Sequence, residues 1–543
     1  LLDAAGTPTA VGPGALEAAA AAVFAGGILA LKGLGGFQLI VDATSGEAVQ
    51  RLRRRKCRPD KPLAVMLASL DAIRARCEVD AEEAQSLASA QAPIVLLRRR
   101  RDDRAVCDVA EAVAPGNPYL GCMLPYTPLH WLLVDRIGRA VVCTSGNLSE
   151  EPMAVTIEDA LAPLGSIADV FLVHDRPIVR PVDDSVARRT PDGHQLLRRA
   201  RGYAPLPIEL GQPGPTVLAT GGHLKNAVAL AIGSQVVVSQ HVGDLDNVPS
   251  AELHERTIRD LLDFFRVAPD AVACDLHPDY ASTRAAEILA ARWKVPLVPV
   301  QHHQAHVTAC MAEHHLAGPV LGLSWDGTGY GVDGTVWGGE ALECELRPGG
   351  EPAGRTAFQA VQGGSETHPT GFRRVAHLRT FPLPGGDRAA REPRRSALGL
   401  LFEVIGDAAA ESAAAWFAAE ELRGLMRLLD RPRLAPRTSS MGRLFDAVAA
   451  LCGLPPVVTF EGQSAMALEF AADEACEESY PFVLSDAPAA TVADWEPALR
   501  AILADRAARV PVSRISARFH NGLADLACAV ARRHQFGQPH EEA

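Results

Sequence analysis

The chain has 543 residues, a formal charge of −12, 48 % hydrophobic and 22 % charged residues, which suggests roughly two to four globular domains. The acidic balance argues against a nucleic-acid partner, and no apolar run reaches the ~18 residues that a membrane span needs. The 11 cysteines are scattered with no CxxC pair, so we expect free thiols in a reducing, cytoplasmic setting and neither a disulfide framework nor a Cys-rich zinc module.

Residues 15–24 (ALEAAAAAVF), after Pro13 and Gly14, predict a helix. In ILALKGLGGFQLIVDA two β-rich runs flank Gly33, Gly35 and Gly36, which predicts a strand pair around a tight turn. Thr44 or Ser45 caps the next helix, which runs into a basic stretch before Pro59. Strands follow at PLAVMLA, PIVLL and AVVCTS with helices between them, so residues 1–205 predict a mixed α/β domain. The Pro- and Gly-rich stretch that follows predicts a linker over 206–215. A second domain, 216–543, carries a strand–glycine turn–strand unit twice, in TVLATGGHLKNAVALAIGSQVVVSQH and VLGLSWDGTGYGVDGTVWGGEAL. Such repetition fits a duplicated fold that grips phosphate. Residues 352–480 read as mostly helical with loops, and HQFGQPHEEA as a polar tail.

Five clusters carry chemistry. Lys56, Arg58 and Lys61 stand within six residues and suit a polyphosphate, Arg58 by two-point binding and the lysines as point charges. A solvated helix end is the plain alternative, and Arg51, Arg53, Arg54 and Arg55 just before it read as solvated surface. Ser145 and Asn147 directly follow an apolar strand, a position that holds phosphate in other α/β folds, or else a turn capped at Ser149. Arg180 and Arg188 flank Asp183 and Asp184, as in any ion-paired loop. His302 and His306 in QHHQAH are spaced i, i+4; on a helix both rings share one face and can share a divalent metal, with a third ligand still to come from elsewhere. Asp326, Gly327 and Gly329 in WDGTGYG suit either close backbone approach to a phosphate or a structural turn.

Taken together and in this order, the motifs resemble a known family. KGLGGFQLIVDA, KCRPDKPLAVML, APGNPYLGCMLPYTPLH, CTSGNLSEEP and HDRPIVRPVDDSVAR are similar to the YrdC-like domain of the hydrogenase-maturation carbamoyltransferases, HypF. TGGHLKNAVALA, VQHHQAH, WDGTGYGVDGTVWGGE, TSSMGRLFDAVAAL and TFEGQSAMALE resemble the actin-like (ASKHA) ATPase-type domain that follows it.

The resemblance implies that the first module adenylates carbamate with ATP and Mg2+, and that the second transfers the carbamoyl group to the C-terminal cysteine of a HypE-like maturation protein, for cyanide synthesis. It places Lys56, Arg58, Lys61, Ser145, Asn147 and Arg188 on the nucleotide and phosphate side. It places His302 and His306 on one divalent metal, Fe or Zn, and Lys225, Asn226, Asp326, Gly327 and Gly329 in loops near the phosphate. Lys56, Arg58, Lys225 and Asn226 are its catalytic candidates. Carbamate or carbamoyl phosphate is the implied substrate.

The family also carries acylphosphatase-like and zinc-finger regions before this point, and a further Gly-Gly loop and a late Asp beyond Phe519. We therefore expect the second fold to be C-terminally incomplete. Two other readings are open: a TobZ-like O-carbamoyltransferase of small molecules, in which the module order is reversed, and a chain that adenylates or binds a partner without transfer.

Overall fold

Alternate residues of the first strands are buried on opposite faces of one sheet. Ile28, Ala30, Phe37, Leu39 and Val41 enter one hydrophobic cluster, whereas Leu29, Leu31 and Ile40 enter another. A strand buried on both faces reads as a continuous apolar run, and a period of two divides its side chains between two cores. The computed structural model describes residues 1–102, 106, 108–148, 151–316, 318–346, 371–431 and 434–534. The Ser149 cap, part of the stretch expected to be helical (352–370) and the tail from 535 lie outside the described residues.

Two compact units divide the chain. The first comprises Leu1–Ile208, Gln212–Asp270 and Tyr280–Leu289; the second comprises Glu209–Gly211, Ala271–Asp279 and Ala290–Ala543. The first contains a ten-stranded sheet of β1 (Leu2–Asp3), β2 (Leu29–Lys32), β3 (Phe37–Asp42), β4 (Val65–Met66), β5 (Ile94–Arg98), β6 (Tyr119–Met123), β7 (Val141–Ser145), β8 (Val170–Leu172), β9 (Val186–Thr190) and β10 (Gly193–Arg198). Its order is β1-β8-β2-β3-β7-β4-β6-β5-β9-β10. Helices Gly12–Phe24 and Pro128–Ile137 cover one face through Ala15, Leu16, Val23, Leu133 and Val134, while Gly46–Lys56 covers the other through Val49 and Leu52. Each of the buried Leu and Val side chains among them contributes about 1.5–3 kcal/mol.

The antiparallel pairs β2–β3 and β3–β7 put the glycine turn and Ser145 at one edge, because Lys32 faces Phe37 and Gln38 faces Ser145. Ser45 caps helix Gly46–Lys56 by accepting from the Ala48 amide at 3.2 Å. PLAVMLA yields a strand only at Val65–Met66. Much of the expected linker, 206–215, is extended chain: β11 (Pro207–Ala219) runs through it. Its Pro and Gly residues from 211 to 215 are exposed. With β12 (Ala229–Val238) it flanks the turn that carries Gly221 and Asn226.

In the second unit β13 (Ala271–Asp275) pairs in parallel with β14 (Leu297–Val300), and helix His302–Glu313 follows directly. Then β15 (Gly318–Tyr330), β16 (Val336–Leu346) and β17 (Phe372–Leu378) form an antiparallel run, with a register shift in β15 between Trp325 and Gly329. The longest helix among the described residues, Val512–Arg533, and helix Met441–Leu451 pack into one core with Trp495 and Phe381. No helix among the described residues is long and apolar enough to cross a membrane.

The glycine turn in the first unit has no room for a side chain. A Cβ on Gly35 would stand 2.2 Å from Val182 Cγ1 and 2.4 Å from the Val182 carbonyl oxygen, and the Val182 amide donates to the Gly35 carbonyl at 2.9 Å. Backbone cannot retreat from such a contact as a flexible side chain can. Gly35→Ala should therefore destabilise the chain by about 1–3 kcal/mol, read as a lower denaturant midpoint; a parental midpoint would show that the Val182 segment is free to shift.

Candidate functional site

The first site lies at the end of helix Gly46–Lys56. Lys56 is 1 % exposed, yet its ammonium donates to the Ser145 carbonyl (2.8 Å), the Asn147 carbonyl (2.6 Å) and Asn147 Oδ1 (2.7 Å). These acceptors match the three N–H bonds of an ammonium, so Lys56 here shapes the 145–147 loop. Ser145 Oγ donates to the same Asn147 Oδ1 at 2.7 Å, and Asn147 Nδ2 donates to the Glu151 carbonyl. Arg58 donates to the Pro62 carbonyl at 2.7 Å.

Arg53 is a correction to the sequence reading. It is not solvated surface but 3 % exposed, and donates to the carbonyls of Ala112, Arg58, Pro59, Lys61 and Val113 at 2.6–3.1 Å. It thus clamps the loop that carries Arg58 and Lys61. A run of four basic residues hides which one turns inward; only the helical spacing of Arg53 with buried Val49 and Lys56 points to it.

The site holds an excess of positive charge. Burial, then Arg58 and Lys61, depress the Lys56 ammonium to about 7 against the opposing pull of Asp183. Burial, Arg198 and Arg53 lower Arg58 to about 10, and loss of hydration together with Arg58 and Arg198 lowers Lys61. Cations that repel one another in a dehydrated place are stabilised by an incoming polyanion. Arg188 stacks on the Tyr119 ring, 4.5 Å from its centroid, and donates to its hydroxyl at 2.9 Å.

Also in the first unit, Asn226 is 1 % exposed and its amide donates to the Thr220 and Gly222 carbonyls at 2.9 and 2.6 Å. It braces the turn at Gly221, whose φ is +75° and where a Cβ would meet the Ala227 carbonyl oxygen at 2.3 Å. Lys225 stands beside it at φ +48°, its amide held by Asp244 Oδ1 at 2.7 Å. Asn226 therefore acts on the loop, with Lys225 as the exposed group.

The second unit brings together what the sequence left apart. His302 and His306 lie one turn apart on helix His302–Glu313, their Nε2 atoms 3.2 Å from each other. Asp326 Oδ2, from β15, stands 3.3 Å from His302 Nε2 and 3.4 Å from His306 Nε2. The three residues offer ligand atoms all within 4.8 Å of one another. Two imidazole nitrogens at about 2.0–2.1 Å from a tetrahedral ion stand roughly 3.3 Å apart, so the spacing fits a divalent metal.

Asp275, which the motifs did not single out, accepts from His302 Nδ1 at 2.8 Å and leaves Nε2 as the ligand atom. Burial opposes charge on His302, but Asp275 and Asp326 outweigh it and raise the ring to about 9; the same imidazoles hold Asp326 well below the usual carboxylate range. Asp326, which the sequence reading placed in a phosphate loop, stands with the two imidazoles as the third residue of a group that could hold a metal ion. Gly329 leaves room for His303, since a Cβ there would stand 2.3 Å from the ring. Fully buried Glu340 accepts from the Gly338 and Gly339 amides at 2.5 and 2.7 Å and from Ser439 and Arg374. The WGGE and TSS motifs signalled these positions without revealing their roles.

The chain thus joins an α/β module with inward-turned Lys56 and Arg53 to a module that carries the His302–His306–Asp326 group. Residues 21–200 match the Sua5/YciO/YrdC family, described as telomere recombination. Residues 212–313 match the HypF Kae1-like domain, and 322–540 the second subdomain of the carbamoyltransferase Kae1-like domain. The chain belongs to the HypF family.

Carbamoyltransferase HypF of Synechocystis sp. is 44 % identical over 527 residues, which cover 94 % of this chain and 64 % of that protein. A full-length HypF crystal structure in the phosphate- and nucleotide-bound form is similar at TM-score 0.87 and 39 % identity, over 97 % of this chain and 66 % of that one. T. kodakarensis HypF gives TM-score 0.86 and 31 % identity, over 99 % and 68 %. The chain thus spans about two thirds of the length of these relatives.

Two measurements test this geometry. An anion bound near Lys56 raises its pKa from about 7, so binding takes up a proton above pH 7 and little below it. Pyrophosphate affinity should accordingly fall as pH rises through 7 to 9, by up to about tenfold per unit. Calorimetry in buffers of different ionisation enthalpy should show uptake at pH 8 that Lys56→Gln abolishes. Asp275→Asn should weaken Co2+ binding about 10–100-fold, measured by titration; unaltered affinity would show that the ring needs no such support.

Proposed function

We propose that the chain is an ATP-dependent carbamoyltransferase of NiFe-hydrogenase maturation, with residues 1–205 as the adenylating module and 216–543 as the transfer module. The observation that carries the reading is the excess of cations at half-buried Arg58 and exposed Lys61, with buried Lys56 holding the Ser145–Asn147 loop beside them. Carbamate is a poor electrophile because its leaving group would be oxide. Attack of its oxygen on the α-phosphorus of Mg2+-ATP expels pyrophosphate and leaves carbamoyl adenylate, whose leaving group is AMP. Arg58 and Lys61 neutralise the phosphates, Arg53 fixes the loop that carries them, and Lys56 fixes the loop bearing Ser145 and Asn147 for the nucleotide.

In the transfer module a thiolate, that of the C-terminal cysteine of a HypE-like partner, attacks the carbamoyl carbon and releases AMP. His302, His306 and Asp326 would hold a divalent ion, Fe or Zn, which supplies Lewis-acid polarisation of a carbonyl or phosphoryl oxygen. Asp275 keeps the His302 ring oriented, and Lys225 offers a cation at a braced glycine turn. Carbamate is the direct substrate in this scheme; carbamoyl phosphate serves only after hydrolysis.

ATP–pyrophosphate exchange tests the first half, with carbamate from ammonium bicarbonate and separately with carbamoyl phosphate. Exchange is expected with carbamate and should fall about 10²–10³-fold in Arg58→Ala, the loss typical of one oxyanion-stabilising donor. Exchange with neither substrate would overturn the adenylating role. Label transfer to a partner's C-terminal peptide tests the second half; exchange without transfer would leave an adenylating chain only.

A further inference from the structure

Asp326 sits where the ladder between β15 and β16 is interrupted. Trp325 pairs with Gly339 and Gly329 with Trp337, so Asp326, Gly327 and Thr328 lie opposite Gly338 alone. Regular pairing therefore does not hold the residue that turns toward His302 and His306. Its Oδ1 accepts from the Gly327 amide at 2.6 Å, a contact within the bulge itself. The bulge is seated by two neighbours. Gly338 approaches so closely that a Cβ there would stand 2.5 Å from the Asp326 carbonyl oxygen. The Ser440 hydroxyl lies 2.9 Å from both the Asp326 and the Gly327 carbonyl oxygens.

One side chain ties these neighbours together. Glu340 is fully buried. Its Oε2 accepts from the Gly338 and Gly339 amides at 2.5 and 2.7 Å, and its Oε1 from the Ser439 hydroxyl at 2.5 Å and Arg374 Nη2 at 2.7 Å. Ser439 immediately precedes Ser440, and a Cβ on Gly339 would stand 2.3 Å from the Ser439 carbonyl oxygen. Arg374 is fixed in turn over the Trp337 ring, 4.1 Å from its centroid, and by Asp333 Oδ2 at 3.1 Å. A carboxylate taken out of water is tolerated where well-placed donors fill its acceptor positions, and Glu340 has four such donors. The segments that supply them have little freedom to move apart.

We propose that Glu340 is a positioning residue for the metal group. Through Gly338 and Ser439 it fixes the backbone on which Asp326 rests, and so keeps the Asp326 carboxylate 3.3 and 3.4 Å from the two imidazole Nε2 atoms. Asp275 bonds directly to a ligand ring, whereas Glu340 acts on the backbone beside a ligand carboxylate. The inference deepens the metal reading of His302, His306 and Asp326 and rests on it for the effect on an ion; the seating of Asp326 stands without it.

The test is a double-variant cycle on the full chain with Glu340→Gln, Asp326→Ala and the two combined, read by Co2+ affinity and the visible absorption spectrum of bound Co2+. Glutamine keeps the shape of the side chain and replaces one acceptor oxygen by a donor. Glu340→Gln is expected to weaken Co2+ binding about 10–100-fold and to move the spectrum toward that of Asp326→Ala. On the Asp326→Ala background it should cost nothing further, because groups that act through one another are not additive. Equal losses on both backgrounds would show that Glu340 supports the fold at large. Unchanged affinity and spectrum would show that Asp326 is held without it. Either result overturns the inference. If Glu340→Gln fails to fold, Glu340→Gln/Arg374→Met, which removes both charges, is taken through the same cycle. Should that variant also fail to fold, Glu340 belongs to the fold and the positioning role is overturned. If the unaltered chain binds no Co2+, the metal reading falls by itself and crystal structures decide the inference: displacement of the Asp326 carboxylate by about 0.5 Å or more in Glu340→Gln supports it, and an unmoved carboxylate overturns it.

Discussion

A buried ammonium in contact with backbone carbonyls is the constraint on which the first site depends. Lys56 has almost no access to water, and taking a charge out of water is unfavourable unless its hydrogen bonds are remade. They are remade by Ser145 and Asn147, from the end of a central strand. Because the helix that carries Lys56 is fixed by Val49 and Leu52 in the core, the loop inherits the rigidity of the sheet. Arg53 repeats the device one turn earlier on the loop with Arg58 and Lys61. Two inward cations therefore fix two loops, and the exposed or half-buried cations carried there remain available to a ligand.

The second unit uses the opposite charge for the same purpose. Glu340 is fully buried and its carboxylate accepts from the Gly338 and Gly339 amides. At both places glycine is required by neighbouring backbone: a Cβ would stand 2.5 Å from the Asp326 carbonyl oxygen at Gly338 and 2.3 Å from that of Ser439 at Gly339. A carboxylate collects N–H groups where an ammonium collects carbonyls, so the sign of the buried residue follows the side of the peptide unit that the backbone presents. The loop at 145–147 and the start of β16 are both held by charges with little contact with solvent.

What was legible in the sequence follows from period and spacing. The alternation in β2 and β3, the glycine turn and the i, i+4 histidines are local signals, and local geometry decides them. Asp275 and Asp326 were hidden as partners of His302 because they arrive from strands 27 residues before it and 24 residues after it. Arg53 was hidden because a basic run looks hydrated whichever way each member points. The stretch 206–215 looked like a linker because Pro and Gly punctuate it, although from Pro207 it is the extended chain of β11. In PLAVMLA the apolar run exceeds its two paired residues because Leu63 and Leu67 are buried without strand pairing.

The metal set shows how far a site of this kind depends on register. Asp275 ends β13, His302 follows β14, and these strands pair in parallel, Asp275 opposite Val300. That pairing sets the Asp275 carboxylate beside the first residue of the histidine helix. Asp326 must then reach both rings from β15, where regular pairing with β16 stops at Trp325 and resumes at Gly329. A bulge releases backbone from its ladder and redirects the side chains it carries. Without the irregularity, strict alternation would fix the direction of Asp326 by the pleat alone. The carboxylate meets the imidazoles where regular pairing of the strand is interrupted.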